Sequence, residues 1–383
     1  MMRSRIQSDR ILTPEGIRSG YVYCEDGTIT AVTADRSLPF DKAYDRTGLY
    51  VCAGFIEMHT HGANGFDFLG TQEDIVHGCN FLLRHGATSV CPTISAAPFA
   101  VMADCVQSVH AAMHDTRLLG HILGAHMEGP YLSPAQCGAQ NADILTDPIP
   151  QAYTALIRQY GDAIIRWTFA PERDPEGTFC AFLRQNGILP SAGHTDATYA
   201  QMLPALENGC KLITHLYSCT STVTRDHGFR RLGVIETAFL RDDVYVEIIA
   251  DGKHLPPDLI RMILKIKGTD HVALVTDSLS PAGTNRMHGR MGSISFVIEN
   301  GVCMLSDRSA FAGSIALPDS LVRVMTQEVG VSLTDAVSMM TAVPAKILGV
   351  NKGVLAPGKD ADIIAFDEDI TIQDAFVSGV EVL

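Results

Sequence analysis

Short apolar runs separated by turn residues occur at both ends of the chain. Near the amino terminus, residues 21–24 and 28–32 flank Glu25-Asp26-Gly27, a pattern typical of a tight β-hairpin. Near the carboxyl terminus, the apolar run 361–366 follows a second turn-rich segment. Because chain ends often lie close together, we expect residues 1–53 and 346–383 to form one small β-sandwich domain.

Between these ends, short apolar runs alternate with longer amphipathic segments. The pattern predicts helices in the longer segments, for example at residues 73–85, 100–114, 150–160 and 258–267. It predicts eight strands, at residues 54–58, 88–92, 121–127, 165–170, 188–192, 211–214, 244–250 and 271–276. Eight β/α repeats within residues 54–345 indicate an α/β fold, a (β/α)8 barrel of the TIM type.

The composition narrows the class of protein. Hydrophobic residues make up 46% of the 383 residues, enough for a sizeable core, and the net charge of −14 argues against a nucleic-acid partner. A small phosphorylated substrate is still compatible with this charge if one local cation faces it. The ten cysteines include no C-x-x-C pair, and the chain shows neither a leader peptide nor a run long enough to span a membrane. We therefore expect reduced thiols, no membrane contact and a cytoplasmic location.

Side chains that can bind metal follow several predicted strands, where a TIM barrel places its reactive groups. His59 and His61 are two residues apart, so in an extended chain both imidazoles lie on one face. Each feature alone has a plain alternative, since such residues are often loop, salt-bridge or core residues. Their recurrence at strand ends favours ligands for zinc or another divalent metal, namely His59, His61, Glu128, His194 and His215.

A carboxylate follows the last predicted strand. Asp277 ends the apolar run 272–276, where an unpaired charge would be costly. Beside a metal-activated water it can act as general base and then as general acid. The alternative is a helix N-cap for the segment that follows.

Several segments of the chain match one known pattern in order and over nearly the full length: residues 54–62, 126–130, 193–194, 214–217, 249–254, 275–277 and 311–314. Together they resemble the N-acetylglucosamine-6-phosphate deacetylases of the amidohydrolase superfamily. The more specific part of the likeness consists of three segments, Glu128-Gly129-Pro130, Ala250-Asp251-Gly252-Lys253-His254 and Ala312-Gly313-Ser314. The resemblance implies hydrolysis of an N-acetyl amino-sugar phosphate to the amino-sugar phosphate and acetate.

The resemblance also implies roles for individual residues. Glu128, His194 and His215 would hold the main metal, and His59 with His61 would help to hold a second ion. The metal would be zinc, with iron or another divalent metal as the alternative. Arg225 matches the phosphate-binding arginine, which in such enzymes can serve the site of a neighbouring subunit of a homodimer. The implied substrate-binding residues are Ala139, Gln140, Ser218, Cys219, Arg225, Asp251, His254, Phe311, Ala312 and Gly313.

The chain departs from the family pattern around the substrate. Gln140 stands where the family usually has histidine, and Ser218 with Cys219 stands where it has Asn-Ala. Glu57 replaces the usual aspartate, and the stretch from residue 217 to Arg225 is one residue shorter. These changes predict the same hydrolytic chemistry on a shifted substrate, such as another epimer, acyl group or phosphate position. Neutral change in a tolerant loop is the alternative.

Two rival functions stay open at this point. A cyclic amidohydrolase would use a modified lysine after the fourth strand, but that strand runs into Phe169-Ala170-Pro171-Glu172. A catalytically inactive sugar-phosphate sensor would fit the altered Gln140 and Ser218. It would not need the complete set of metal ligands and Asp277.

Overall fold

The computed structural model describes residues 3–291 and 294–383, so residues 1, 2, 292 and 293 of the predicted domain ranges lie outside it. The strands, in chain order, are β1 (Arg3–Thr13), β2 (Gly16–Glu25), β3 (Thr28–Thr33), β4 (Lys42–Asp45), β5 (Tyr50–Ala53), β6 (Phe55–Thr60), β7 (Gly62–Ala63), β8 (Phe66–Asp67), β9 (Ala87–Ser95), β10 (His121–Ile122), β11 (Ala125–Glu128), β12 (Ile164–Phe169), β13 (Leu189–Ala192), β14 (Leu212–Ile213), β15 (Thr224–Asp226), β16 (Phe229–Arg231), β17 (Tyr245–Ile249), β18 (Val272–Val275), β19 (His288–Met291), β20 (Ile294–Glu299), β21 (Val302–Leu305), β22 (Phe311–Gly313), β23 (Ile363–Phe366), β24 (Ile372–Val377) and β25 (Val380–Glu381).

Helices separate the strands. The α-helices are α1 (Gln72–Leu83), α2 (Phe99–Met113), α3 (Pro150–Tyr160), α4 (Thr178–Gln185), α5 (Tyr199–Glu207), α6 (Val234–Leu240), α7 (Pro257–Lys267), α8 (Pro318–Val324), α9 (Leu333–Met340) and α10 (Ala342–Leu348). None of the helices in the described part of the chain is long and apolar enough to cross a membrane.

Local sequence explains where several of these helices begin. Thr71 caps α1 and Thr198 caps α5, each in a reciprocal hydrogen-bonded capping box. Proline opens α3 and α7 at a position that needs no backbone donor. The predicted helices at 73–85, 100–114, 150–160 and 258–267 correspond to α1, α2, α3 and α7.

Strands from both ends of the chain share one eight-stranded sheet. Its order is β25-β24-β23-β5-β1-β2-β3, with β4 also paired to β1. The predicted hairpin turn is confirmed, since Asp26 and Gly27 take φ values of 46° and 82° between β2 and β3. The antiparallel pairing of β5 with β23 joins the two ends of the chain. The boundaries 1–53 with 346–383 and 54–345 stay a prediction.

The central strands form the predicted (β/α)8 barrel. Parallel strands follow the order β10-β9-β11-β12-β13-β14-β17-β18, and β6 pairs with β9. The first and last barrel strands meet through backbone hydrogen bonds, from Asp277 N to His59 O (2.9 Å) and from His61 N to Ser278 O (2.8 Å). This closure brings the carboxyl ends of β6 and β18 side by side.

The third predicted strand, at 121–127, is divided into β10 and β11. Gly124, between the two pieces, takes a φ of 129° that a residue with a side chain would rarely adopt. A Cβ there would lie 3.0 Å from Ile165 N on the neighbouring strand. A local bend therefore interrupts an otherwise continuous barrel strand.

Two connections bear on the site. Gly54 alone separates β5 of the terminal sheet from β6 of the barrel, and a Cβ on it would lie 2.0 Å from Thr88 Oγ1. After β18, an antiparallel sheet in the order β19-β20-β21-β22 returns to the barrel. There Ser314 N donates to Asp277 O over 2.8 Å, which places β22 beside the end of the last barrel strand.

Candidate metal centre and active site

The six residues expected to form the catalytic centre converge at the carboxyl ends of the barrel strands. The Oε1 atom of Glu128 lies 3.1 Å from His215 Nε2, 3.3 Å from His194 Nε2 and 3.4 Å from His59 Nε2. The other carboxylate oxygen, Oε2, lies 3.4 Å from His61 Nε2. Four imidazoles thus surround one carboxylate.

Asp277 lies on the side of the cluster formed by the first two histidines. Its Oδ1 is 3.1 Å from His61 Nε2 and 3.4 Å from His59 Nε2. The backbones of Asp277, His194 and His215 take left-handed φ values of 47°, 46° and 31°. Residues other than glycine rarely adopt this conformation, and such strain is concentrated at functional sites.

Outer hydrogen bonds orient three of the histidine rings. The Nδ1 atom of His61 lies 2.8 Å from Ser95 Oγ, that of His194 lies 2.9 Å from Gln136 O, and that of His215 lies 3.0 Å from Ser218 O. With Nδ1 engaged in this way, each Nε2 points towards the carboxylates. This arrangement is characteristic of histidines that bind metal.

The cluster concentrates opposite charges in a buried space. Burial disfavours the ionised form of Glu128, but the imidazoles of His194 and His59 hold its pKa well below the usual carboxyl range. Burial would lower the pKa of His59, yet the Asp277 and Glu128 carboxylates raise it to about 10. The Glu128 and Asp277 carboxylates are therefore stabilised by nearby positive charge, which protonated imidazoles provide when no metal cation is bound.

The residues present fit a divalent metal. Both ring nitrogens of His59 are buried and have no hydrogen-bond partner among the described residues, although its Nε2 faces two carboxylates. Imidazole nitrogens and carboxylate oxygens are the ligands that zinc and similar metals prefer. Three overlapping groups have ligand atoms within 4.8 Å of one another: His59, His61 and Glu128; His59, His215 and Asp277; and Glu128, His194 and His215.

A cavity of about 270 Å³ opens above this cluster. His61, Glu128, His194, His215 and Asp277 form part of its wall. Most of the residues expected to bind substrate also line it, namely Ala139, Gln140, Ser218, Cys219, His254, Phe311, Ala312 and Gly313. The site expected from the sequence is therefore assembled around one space.

Asp251 lies behind this wall. Its Oδ2 is 2.8 Å from His254 Nδ1, and its Oδ1 accepts a hydrogen bond from His254 N over 2.8 Å. The ring of His254 also packs edge-on against Phe311, with centroids 4.8 Å apart. Asp251 therefore orients His254, and the histidine is the residue that faces the cavity.

The side chain of Gln140 points towards the cluster of histidines and carboxylates. Its Nε2 donates a hydrogen bond to Glu128 Oε2 over 2.7 Å, and its Oε1 accepts one from Ala96 N over 3.1 Å. The side chain is 8% exposed and both ends of its amide are engaged. Gln140 therefore helps to hold Glu128 in position, and it also forms part of the cavity wall.

Arg225 lies away from the cavity of its own chain. It is exposed on the two-stranded hairpin of β15 and β16, where it is paired across the strands with Arg230. Among the described residues, none that lines the cavity is a lysine or an arginine. The cavity within one chain thus lacks the cation that a phosphate group would need.

Tyr217 and Ile249 also line the cavity, although neither is among the site residues predicted from the sequence. Both lie in segments that carry the family resemblance, residues 214–217 and 249–254. Arg166 and Glu247, which lie beneath the cluster, are also absent from the predicted site residues. The sequence feature that could have indicated them is a charged residue in the middle of an apolar strand.

Comparisons with known proteins agree with this geometry. Residues 50–382 match the model of the amidohydrolase family, and the chain belongs to that family. It is 30% identical over 366 residues to N-acetylglucosamine-6-phosphate deacetylase of Bacillus subtilis, covering 94% of this chain and 91% of that protein. It is 31% identical over 362 residues to N-acetylgalactosamine-6-phosphate deacetylase of Shewanella sp., covering 92% and 89%.

A solved structure gives the same picture. N-acetyl-D-glucosamine-6-phosphate deacetylase of Mycobacterium smegmatis, as a mutant in complex with N-acetyl-D-glucosamine-6-phosphate, superposes with a TM-score of 0.92 and 26% identity over the whole of both chains. The fold and site define a metal-dependent amide hydrolase. Within that class, the chain belongs with the N-acetylglucosamine-6-phosphate deacetylases.

Proposed function

We propose that this protein removes the acetyl group from N-acetylglucosamine-6-phosphate, releasing glucosamine-6-phosphate and acetate in amino-sugar catabolism. The observation that carries the proposal is the position of Asp277. Its carboxylate lies 3.1 Å from His61 Nε2 and faces the cavity from the edge of the metal-binding cluster. A base at that place can serve a water that attacks a bound acyl group.

The cluster would hold zinc. Glu128, His194 and His215 form the main site, and His59 with His61 contributes to a second one. A bound ion supplies Lewis acidity, which lowers the pKa of water and polarises an acyl carbonyl group. Glu128 is placed to serve both sites, because its Oε1 faces His59 as well as His194 and His215, and its Oε2 faces His61.

Asp277 performs the proton transfers. Its carboxylate accepts a proton from the attacking water, and it then donates that proton to the nitrogen of the leaving amine. The transfer matters because an amide nitrogen leaves poorly unless it is protonated. His254, fixed by Asp251 and Phe311, is placed to bind the sugar, and the backbone of Phe311, Ala312 and Gly313 borders the same space.

The phosphate would be bound by Arg225 of a second subunit in a homodimer. Two observations support this: the cavity wall includes no arginine or lysine among the described residues, and Arg225 projects on an exposed hairpin. A guanidinium fork suits a phosphate dianion. Ala139, Gln140, Ser218 and Cys219 would shape the cavity around the acetylated sugar.

The galactosamine epimer is a second candidate substrate. The relative from Shewanella, 31% identical to this chain, is named for N-acetylgalactosamine-6-phosphate. Gln140, Ser218 and Cys219 differ from the usual deacetylase pattern, which is consistent with altered sugar contacts.

We also propose a cytoplasmic location, which is supported by the ten cysteines, none of which forms a disulfide.

Amine release by the zinc-loaded protein tests this proposal. The substrates are N-acetylglucosamine-6-phosphate, N-acetylgalactosamine-6-phosphate and the two unphosphorylated sugars, with the Asp277→Asn variant as the catalytic control. We expect turnover of the glucosamine phosphate and a loss of about 100-fold or more in the variant. Preference for the galactosamine phosphate would correct the epimer. Metal-loaded protein that hydrolyses none of the four would contradict the proposal.

A further inference from the structure

An ion pair lies inside the barrel, beneath the cluster of histidines and carboxylates. Arg166 on β12 and Glu247 on β17 are both fully buried, with 0% side-chain exposure. The Arg166 guanidinium contacts both carboxylate oxygens, and one of these contacts, from Nη2 to Oε2, measures 3.1 Å.

Arg166 also connects the strands that carry metal ligands. Its Nη2 donates to Thr214 Oγ1 over 3.1 Å, directly before His215 in the chain. Its Nη1 donates to the backbone oxygen of Met58 over 3.3 Å, directly before His59. The guanidinium therefore fixes Glu247 in place relative to these strand ends.

Glu247 faces the one histidine of the cluster that lacks an outer hydrogen bond. The Nδ1 atoms of His61, His194 and His215 each lie within 3.0 Å of an oxygen. In His59, by contrast, Nδ1 lies 3.6 Å from Glu247 Oε2 and has no hydrogen-bond partner among the described residues. The separation exceeds a hydrogen bond by a few tenths of an ångström, and Glu247 Oε2 is the carboxylate oxygen that this nitrogen faces.

We propose that Glu247, held by Arg166, is the positioning residue of His59: it accepts the Nδ1 proton and so directs Nε2 at the metal. A carboxylate in this place fixes the tautomer and orientation of a metal-binding imidazole and raises its basicity. Glu247 touches neither substrate nor metal and acts through His59. The inference rests on the metal role proposed above for His59.

The cost of the pair supports a functional role. A buried ion pair pays a large desolvation penalty, and well-packed apolar residues in its place are often as stable. TIM barrels usually fill this interior with branched apolar side chains. Packing alone therefore does not account for the charged pair, whereas a carboxylate acceptor facing His59 Nδ1 does.

Metal affinity tests the inference without relying on turnover. Zinc affinity is measured by chelator competition for the wild type, His59→Ala, the paired variant Arg166→Met/Glu247→Leu and their combination. The paired variant removes both charges, so it leaves no lone buried ion. Glu247→Asp is a second variant, because it keeps the charge for Arg166 but withdraws the carboxylate from His59. Arg46→Met, which breaks an ion pair with Asp374 in the terminal sheet (2.7 Å), is the matched control.

We expect the paired variant and Glu247→Asp to bind the His59-dependent zinc about 10- to 100-fold more weakly, as His59→Ala does. The combination with His59→Ala should lose no more than His59→Ala alone, and Arg46→Met should bind zinc normally. Unchanged affinity in folded Glu247→Asp, or losses that add to that of His59→Ala, would overturn the inference. If His59→Ala itself bound zinc normally, the metal role of His59 would be wrong and the inference would fall with it.

Discussion

Gln140 donates a hydrogen bond to Glu128, with 2.7 Å between Nε2 and Oε2. The same amide accepts a hydrogen bond from Ala96 N over 3.1 Å, so its orientation is set from both ends. Glu128 is the carboxylate shared by all four histidines of the cluster. The family pattern usually has an imidazole where this chain has Gln140, and the amide here restrains the central ligand.

Replacement of Gln140 tests that restraint. Gln140→Leu keeps the approximate size but removes the donor, and we expect zinc affinity and kcat to fall about 10-fold or more. Gln140→Glu should be worse at neutral pH, because it sets a second carboxylate against Glu128. Both quantities are measured by chelator competition and amine release. Gln151→Leu, on the exposed side of α3, is the matched control; a wild-type zinc affinity in Gln140→Leu would contradict the restraint.

A mixing experiment tests the role of Arg225 across subunits. Arg225→Ala should raise KM for the sugar phosphate about 10-fold or more, because a charge-assisted contact is lost, and should leave turnover of the unphosphorylated sugar unchanged. Mixed dimers with Asp277→Asn would combine an intact base in one subunit with an intact arginine from the other. About one quarter of wild-type activity should return after random reassociation.

One control variant accompanies the mixing experiment. Arg158→Ala removes an exposed arginine on α3 and should leave KM unchanged. If the mixture recovers no activity while Arg225→Ala alone raises KM, the arginine acts within its own subunit. If Arg225→Ala changes neither substrate's KM, it does not bind the phosphate.

Close packing behind a metal ligand predicts sensitivity at Gly193. A Cβ there would lie 2.7 Å from Thr214 Cβ and 2.8 Å from Thr168 Cγ2, within the barrel and directly before His194. We expect Gly193→Ala to lower the free energy of unfolding by about 1–3 kcal/mol, because neighbouring strands must move. Urea denaturation measures the change. Gly161→Ala is the control, since its Cβ would approach nothing closer than 3.3 Å; equal stability of the two variants would refute the steric account.

Acid should weaken the contact between the barrel and the terminal sheet at Asp362. This side chain is 3% exposed; it lies 3.2 Å from His121 Nε2 and forms an ion pair with Lys352. Burial would raise the pKa of Asp362, but His121 and Lys352 lower it below the ordinary value. The folded state therefore binds fewer protons than the unfolded chain. Stability from this group is complete above about pH 4 and is lost as pH falls through the lowered pKa.

Asp362→Asn should therefore cost about 3 kcal/mol at neutral pH and should flatten the acid dependence of stability. Urea midpoints at neutral pH and near the acid end of the folded range measure both effects. Asp369→Asn, at an exposed position in the turn between β23 and β24, should change neither. An acid dependence as steep as that of the wild type would assign the loss to other carboxylates.

The sequence was sufficient for the barrel because its strands are short, apolar and followed by distinctive side chains. His59, Glu128, His194, His215 and Asp277 could be placed at one face on strand position alone, since every parallel strand ends at the same edge. The break at Gly124 was missed because its apolar neighbours continue the strand pattern. The sheet β19–β22 was also missed, although Phe311, Ala312 and Gly313 were selected through the resemblance.

Side-chain direction was the part that the sequence could not supply. Gln140 was expected only as a sugar contact, but a loop residue can turn towards either side of a cavity wall. The sequence predicts that both Asp251 and His254 contact the substrate. Their hydrogen bond shows that Asp251 lies behind His254, and that His254 is the one that faces the cavity. Arg166 and Glu247 lie 81 positions apart, so their pairing depends on barrel closure.

Gly54, the single residue between β5 and β6, connects the terminal sheet directly to the barrel strand that carries His59. Gly54 N donates to Asp362 O and Phe55 N donates to Gly86 O, each over 2.9 Å, so the chain is fastened to both units at the crossing. β6 continues from this crossing to Thr60 and is buried along its whole length, so a shift of β5 would be passed on to His59 within the same strand. If the terminal sheet were replaced by another domain, the connection at Gly54 would therefore have to be rebuilt before β6 could hold His59 in position for a metal.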